Sequence, residues 1–375
     1  METETYLLDA FHEYYNNVNN VYTERIGQRE IGFIPFKGTM TRHLSLKSSF
    51  ELRQFLLNST PRHLYHSLAF YTDPENRKMN LKDWKGAEYV FDLDADHLEG
   101  ADKLSYEQIL ERVKTHTLRL IEKFLLGYLS LDPNSLKLYF SGGRGYHVHI
   151  NDESFYSMNS DQRREISNLV RGEGINLKTF LEVAKLSIIY GKGWIAEIDS
   201  EYRSQVKSIL KGEPNKYLNS GEVSELKARL ESFVKGKGYS SRAELYHADN
   251  SIKIYNSATK PEKDLLELLI EDLTKRNACE IDEPVSTDVH RLIRFPFSLH
   301  GKTGLVVKSL SLDHLKDFSP LKEAVYDYKG KETTILLKQP FKINFLDKEY
   351  DLEGKVTVPR NFAIFMLSSG RASLE

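Results

Sequence analysis

The stretch that most restricts what this chain can fold into is Glu88-Tyr89-Val90-Phe91-Asp92-Leu93-Asp94-Ala95-Asp96. Phe91, Leu93 and Ala95 alternate with Asp92, Asp94 and Asp96. A period of two puts the apolar residues on one face of a strand and the carboxylates on the other. Aspartate is disfavoured in strands. Carboxylates repeating about 7 Å apart on one face repel one another unless positive charge lies over them. A divalent cation held by oxygen ligands meets that need. A solvated strand end beside a turn meets it too, so the motif alone leaves both readings open.

At 375 residues the chain is too long for one small core and is expected to form two modules, one inserted in the other. A hydrophobic content of 40% with 28% charged residues is that of a soluble globular protein. No apolar run approaches the roughly 18 residues of a membrane span. The start, Met1-Glu2-Thr3-Glu4-Thr5, lacks the basic-then-apolar form of a signal peptide. The single Cys279 excludes an internal disulfide and any multi-cysteine zinc site. These features together predict an intracellular, cytoplasmic protein. The net charge of −2 gives no global pull toward nucleic acid, so any such binding must use a local basic patch.

Along the chain, Leu7, Phe11, Tyr14 and Val18 predict an N-terminal amphipathic helix. Arg29 to Phe36 and Met40 to Phe50 read as strands, with Arg29, Arg42, His43 and Lys47 bringing positive charge. Ser105 opens a long helix with Gln108 as its capping-box partner. Leu136 to Phe140, the turn Ser141-Gly142-Gly143-Arg144-Gly145 and Tyr146 to Ile150 form a strand, a glycine-rich turn and a strand. From about residue 155 to 278 the pattern turns helical, with Ser160 expected as a cap and helices over Leu177 to Tyr190, Tyr202 to Leu210, Val223 to Phe233 and Lys263 to Lys275. The expected division is therefore 1–154 with 279–375 as an α/β module and 155–278 as a helical insertion. His290 to Arg294 reads as a short helix, Leu305 to Leu312 as a strand and Pro359 to Leu367 as a closing helix.

A glycine-rich turn can aim backbone N–H groups into an anion-binding concavity. Gly142, Gly143 and Gly145 supply the backbone freedom, Ser141 a hydroxyl, Arg144 a forked cation and His147 a ring donor, a set suited to a triphosphate. The segment from Asp282 to His300 adds a third acid and further cations. Three carboxylates plus a phosphate cradle are what a two-metal nucleotidyl transfer requires.

Taken in order, these segments resemble the small catalytic subunit of archaeal and eukaryotic DNA primases, closer to the archaeal branch. The resemblance rests on Val90-Phe91-Asp92-Leu93-Asp94, on Phe140-Ser141-Gly142-Gly143-Arg144-Gly145-Tyr146-His147, and on Asp282-Glu283-Pro284-Val285-Ser286 running to Ser298-Leu299-His300-Gly301-Lys302-Thr303-Gly304. Arg29-Glu30-Ile31-Gly32-Phe33 and the C-terminal Val358-Pro359-Arg360-Asn361-Phe362-Ala363 also match. The resemblance implies a mixed-sheet α/β primase module with an inserted helical subdomain, unrelated to the bacterial primase fold. It implies template-directed synthesis of short RNA or DNA primers on single-stranded DNA from nucleoside triphosphates, using Mg2+ or Mn2+. It makes Asp92, Asp94 and Asp282 the metal-binding catalytic residues. Ser141, Gly142, Gly143, Arg144 and His147 become the triphosphate turn, and Arg294, His300 and Arg29 further nucleotide contacts. A large iron–sulfur subunit is the implied partner.

Two departures stand out. Many relatives carry a Cys/His zinc knuckle after the acidic strand, but residues 97 to 135 hold no cysteine here, so no structural zinc is expected. Position 143 is glycine where some relatives have a second arginine, which removes one phosphate contact. A metal-dependent glycosyltransferase would also use an Asp-x-Asp, but it leaves the Ser-Gly-Gly-Arg-Gly-x-His turn and Asp282 without a role.

Overall fold

The computed structural model describes residues 2–97, 100, 103–186, 191–236 and 258–375. The chain divides into two compact units. The first takes in Met1–Leu118, Asp132–Ser167 and Glu280–Glu375, and the second Arg119–Leu131 and Asn168–Cys279.

Helix α1 (Glu2–Asn17) buries Leu7, Ala10, Phe11, Tyr14 and Tyr15, the face its periodicity predicts. Strands β1 (Ile31–Ile34) and β2 (Thr41–Leu44), helix α2 (Ser49–Ser59) and strands β3 (His63–Ser67), β4 (Ala69–Tyr71) and β5 (Trp84–Ala87) lead to the acidic strand β6 (Tyr89–Leu93). Helix α3 (Tyr106–Arg119) opens on the expected capping box. The Ser105 N–H donates to Gln108 Oε1 at 2.9 Å and the Gln108 N–H to Ser105 Oγ at 3.2 Å. Leu120–Tyr128 continues in π-helical turns. Strands β7 (Leu136–Phe140) and β8 (Tyr146–Ile150) flank the glycine-rich turn. Helix α4 (Ser160–Arg171) is capped by Asn159 rather than Ser160: the Asn159 Oδ1 accepts the Gln162 N–H and the Gln162 Oε1 accepts the Asn159 N–H. Asn and Gln three residues apart close this box as well as Ser and Glu do.

The second unit holds α5 (Leu177–Leu186), α6 (Trp194–Lys211), α7 (Ser220–Gly236) and α8 (Lys260–Asn277). Residues 187–190, the expected end of the first of these, lie outside the described residues. Helix α6 begins at Trp194, ahead of its expected start, because that indole is buried and its Nε1–H donates to Leu169 O at 2.7 Å. Leu265, Leu266, Leu269 and Leu273 of α8 pack in a core that includes Ile198, Val206 and Leu226.

The chain then re-enters the first unit through α9 (Glu283–Thr287), β9 (Leu292–Arg294) and β10 (Lys308–Leu310). The helix expected over His290 to Arg294 is instead this strand. Its backbone pairs with β3, Tyr65 opposite Arg294 and Ser67 opposite Leu292, and pairing with an open sheet edge overrides a short helical pattern. Helix α10 (Pro320–Glu323), strands β11 (Thr333–Leu337), β12 (Phe341–Phe345), β13 (Lys348–Leu352) and β14 (Lys355–Val358), the closing helix α11 (Arg360–Ser368) and β15 (Ala372–Leu374) complete the chain.

Two four-stranded sheets carry the site, in the orders β2-β1-β3-β9 and β10-β7-β8-β6. The sheets expected to be mixed are antiparallel in every described pairing within them. Strand β6 is an edge strand, and an unpaired edge exposes backbone groups that must be covered. Helix α9 covers it: the Asp282 N–H donates to Asp92 O at 2.9 Å, and Ser286 Oγ–H to Val90 O at 2.8 Å. Val90, Val285 and Ile293 pack with Leu68 beneath this contact. Replacing Ser286 with Ala should therefore lower unfolding stability by about 1–3 kcal/mol, since the buried Val90 carbonyl loses its partner. Urea titration reads this out, and an unchanged midpoint would remove Ser286 from the docking of α9.

Candidate active site

Burial follows the alternation of the acidic strand. Phe91, Leu93 and Ala95 are buried, Asp92 and Asp94 are half-buried and Asp96 is exposed. Asp92 is the last of its acids still in the ladder, and the chain turns at Ala95–His97. The Asp282 N–H bond to Asp92 O brings the third acid to this strand from a remote part of the sequence. Burial, then Asp94, then Asp282 push the Asp92 carboxyl up to about 8, with Arg294 and Arg291 acting the other way. Asp92 Oδ1 is buried and has no hydrogen-bond partner. Its cross-strand neighbour is His147, whose Nε2 lies 3.5 Å away, beyond a good hydrogen bond. Burial, helped by the charge of His149 and Arg294, holds the His147 imidazole neutral, well below its usual range. The contact is thus a protonated acid beside a neutral ring, not an ion pair. Among the described residues no group of three His, Cys, Asp or Glu side chains has converged to metal-ligand spacing. Asp92 is the acid that senses the charges of the other two.

The glycine-rich turn is held from within. Ser141 Oγ accepts the N–H groups of Gly143 at 3.3 Å and Gly145 at 3.2 Å, and the Ser141 N–H donates to Gly145 O at 2.9 Å. The Ser141 hydroxyl, expected as a direct triphosphate contact, is buried and shapes the loop. Outside bonds fix the turn's carbonyls: Tyr106 Oη–H donates to Gly143 O at 2.7 Å and Thr303 Oγ1–H to Gly142 O at 2.5 Å. Gly142 has φ +77°, and a Cβ there would sit 2.7 Å from His300 Cβ. At Gly145 a Cβ would come within 2.4 Å of Leu93 O, so only glycine lets the turn meet the acidic strand.

These parts line an open cleft of about 1000 Å3, its solvent-filled mouth included, with Asp94, Gly143, Arg144, Arg294 and His300 on its walls. Arg144 pairs with Asp96 at 2.5 Å. Arg294 lies over the Tyr65 ring, 4.9 Å from its centroid, and its Nη1–H donates to His63 Nδ1 at 2.6 Å. Burial, then Arg294, lower the His63 pKa to about 3, so this ring is a neutral acceptor. Burial and Arg294 likewise hold His300 neutral, well below its usual value. Its Nδ1 faces the Lys302 N–H at 3.3 Å, which makes Nδ1 the acceptor and leaves the proton on Nε2, beside Gly143.

Of the residues the sequence singles out, Asp94, Gly143, Arg144, Arg294 and His300 line the cleft itself. Asp92 and His147 lie together on neighbouring strands, Ser141 and Gly142 shape the turn, and Asp282 joins from the start of α9. Arg29 is a correction. It is fully buried and does not line the cleft. Its guanidinium donates to Glu88 Oε1, Ser67 O and Glu24 O, each at 2.7 Å. Burial would raise the Glu88 carboxyl, but Arg29 and His149 outweigh it and hold it well below the carboxylate range. A lone arginine beside a strand carries no signal for a buried partner 59 positions away. Lys302, Tyr106 and Arg371 also line the cleft and escaped the sequence reading. Lys302 stood inside a quoted motif, two residues after His300, whereas Tyr106 and Arg371 had no motif to mark them.

Comparison with known proteins places this geometry. The model of the family described as DNA primase small subunit matches residues 91–312. The DNA primase small subunit PriS of Picrophilus torridus is 38% identical over 96% of this chain and 95% of its own length. That of Thermoplasma volcanium is 35% identical over 96% and 95%, and that of Methanothrix thermoacetophila 35% identical over 100% and 99%. A solved polymerase domain of Mycobacterium tuberculosis ligase D in complex with DNA covers 83% of each chain at 12% identity, with a TM-score of 0.34, a likeness too remote to bear on the site. The chain belongs to the DNA primase small subunit family. It is thus a nucleotidyltransferase of the polymerase kind, acting in DNA replication.

The role found for Arg29 has a direct test. Arg29→Ala strands the buried Glu88 charge and should cost about 3–5 kcal/mol of stability. The KM for nucleotide of the protein that remains folded should stay within about twofold, well short of the ~1.4 kcal/mol that marks tenfold. A raised KM at unchanged melting temperature would return Arg29 to the nucleotide site.

Proposed function

We propose that the chain builds primers on single-stranded DNA by a two-metal nucleotidyl transfer, with Asp92, Asp94 and Asp282 holding the cations. The observation that carries this reading is the buried, unpartnered Asp92 Oδ1 beside two further acids at the edge of a basic cleft. A carboxyl kept from ionising by burial and by its acidic neighbours is ready to exchange its proton for a metal ion. Mg2+ or Mn2+ bound there would activate the attacking hydroxyl and offset charge on the transferring phosphate.

The chain's own groups do the rest. Arg144 and Arg294 form the basic wall facing the acids and orient the triphosphate. His300 offers its Nε2–H as a neutral donor to a phosphate oxygen. The turn, pinned by Ser141, Tyr106 and Thr303, holds Arg144 in place, while the pairing of β9 with β3 holds Arg294. His147 supports Asp92 from the neighbouring strand. Nucleoside triphosphates and single-stranded DNA are the substrates, and a primase large subunit is the partner. With a net charge of −2, the chain by itself should grip DNA weakly and draw much of its affinity from that partner.

Three outcomes are expected. Asp94→Ala should fold normally and lose primer synthesis by about a thousandfold or more, ~4 kcal/mol of transition-state stabilisation; substantial synthesis by the folded variant would overturn the assignment. The second is a stability profile. An aspartate ordinarily loses its proton near 3.8, whereas burial and the charges of Asp94 and Asp282 push Asp92 up to about 8 in the fold. The folded state therefore favours the protonated form, and the stability this gives is complete below about pH 4 and is lost as pH rises through about 8. Without divalent cations Asp92→Asn should melt above the parent at pH 8.5 and draw level with it in acid. Mn2+ should then raise the melting temperature of the parent more than that of the variant. Equal response of both proteins to Mn2+ would remove Asp92 from the metal site. The third concerns DNA: sub-nanomolar binding to single strands by the isolated chain at physiological salt would contradict the weak grip expected.

A further inference from the structure

Among the cations lining the cleft, Arg371 is held by neither the acids nor the turn. Arg371 follows Gly370, at the corner between α11 and β15. Its backbone is fixed on both sides: the Arg371 N–H donates to Met366 O at 3.0 Å, and Arg371 O accepts the Lys338 N–H at 2.9 Å. Its guanidinium lies over the Phe341 ring, 4.9 Å from the centroid. A planar guanidinium stacked by its face keeps the N–H groups on its edges available to an anion. Among the described residues no carboxylate forms an ion pair with it. The two other arginines of the cleft are engaged, Arg144 with Asp96 and Arg294 with His63.

We propose that Arg371 is a further binding residue for the phosphate chain of the incoming nucleotide, gripping the part that leaves as pyrophosphate. This rests on the reading of the cleft as the triphosphate site. Arg371 lines the cleft together with Gly143 and Arg144 of the turn. Tyr106 links the two: its hydroxyl donates to Gly143 O at 2.7 Å, and its ring packs edge-on against Phe365 of α11, the helix that leads to Arg371. The phosphorus under attack must lie by the acids, so the β- and γ-phosphates extend toward the turn and Arg371. The C-terminal corner then supplies a cation to a turn whose one cationic side chain is Arg144. A stacked, backbone-anchored arginine suits this task because little side-chain freedom is lost when the anion arrives.

The test uses the full chain extending an annealed primer. It measures kcat, the KM for nucleoside triphosphate and inhibition by added pyrophosphate. Arg371→Ala should raise KM roughly tenfold and weaken pyrophosphate inhibition by a similar factor, the size of a lost charged hydrogen bond. The kcat should change far less, and Arg371→Lys should recover part of both losses. Should the alanine variant fail to fold, Arg371→Gln keeps the length of the side chain without its charge and should show the same two losses. Arg144→Ala is the reference. If it shifts both readouts while a folded, uncharged Arg371 variant shifts neither, the inference falls and the reading of the cleft stands. If neither Arg144 nor Arg371 variants move pyrophosphate inhibition, the cleft is not the triphosphate site and both fall together.

Discussion

The candidate site depends on one backbone hydrogen bond, from the Asp282 N–H to the Asp92 carbonyl. Strand β6 lies at the edge of its sheet, and its outer backbone groups need partners. A further strand would satisfy them but would bring another row of side chains over the acids. A short helix start satisfies them with few residues and leaves the carboxylates open on one side. Pro284 suits the first turn of that helix, where no N–H is needed, and Ser286 completes the edge by bonding the Val90 carbonyl. The third acid thus comes with the element that repairs the sheet edge. Structure and chemistry share the same few residues.

The electrostatics follow from what is left without a partner. Most charges in this unit are answered locally. Glu88 meets Arg29 and His149, and Glu30 meets Arg42 and Lys82. Asp92 meets like charge on two sides and a neutral imidazole on a third. Burying an acid in that setting costs stability, and such strain is accepted where a ligand relieves it. The histidines of the region, His63, His147 and His300, are all held neutral by burial and neighbouring arginines. They contribute directional hydrogen bonding in place of charge, so the cationic side of the cleft rests with Arg144, Arg294, Lys302 and Arg371.

Much of this could be read from the chain. The alternation of Phe91, Leu93 and Ala95 with the aspartates, the capping box at Ser105 and Gln108, and the closing helix after Pro359 are local patterns, and local patterns survive folding. The failures were non-local. The stretch at Leu292–Arg294 became a strand because β3 offered an edge, which nothing within it encodes. Arg29 reads as a nucleotide contact, but its partners arrive from Glu24, Ser67 and Glu88 and hold it in the interior. Ser141 has a task its residue type does not reveal: its hydroxyl accepts the Gly143 and Gly145 N–H groups and so shapes the loop. Arg371 carried no signal, since its place in the cleft comes from the docking of the C-terminal corner beside Phe341.

Gly145 has a mechanical consequence. With Leu93 O only 2.4 Å from where a Cβ would be, the turn rests on the acidic strand main chain to main chain. Side chains can rotate, lengthen or retreat, but two backbones in direct contact have no such slack. Changes around the cleft can retune the strength of its grip. The separation between its basic and acidic halves, like the throat of a fixed caliper, is cut into the backbone itself.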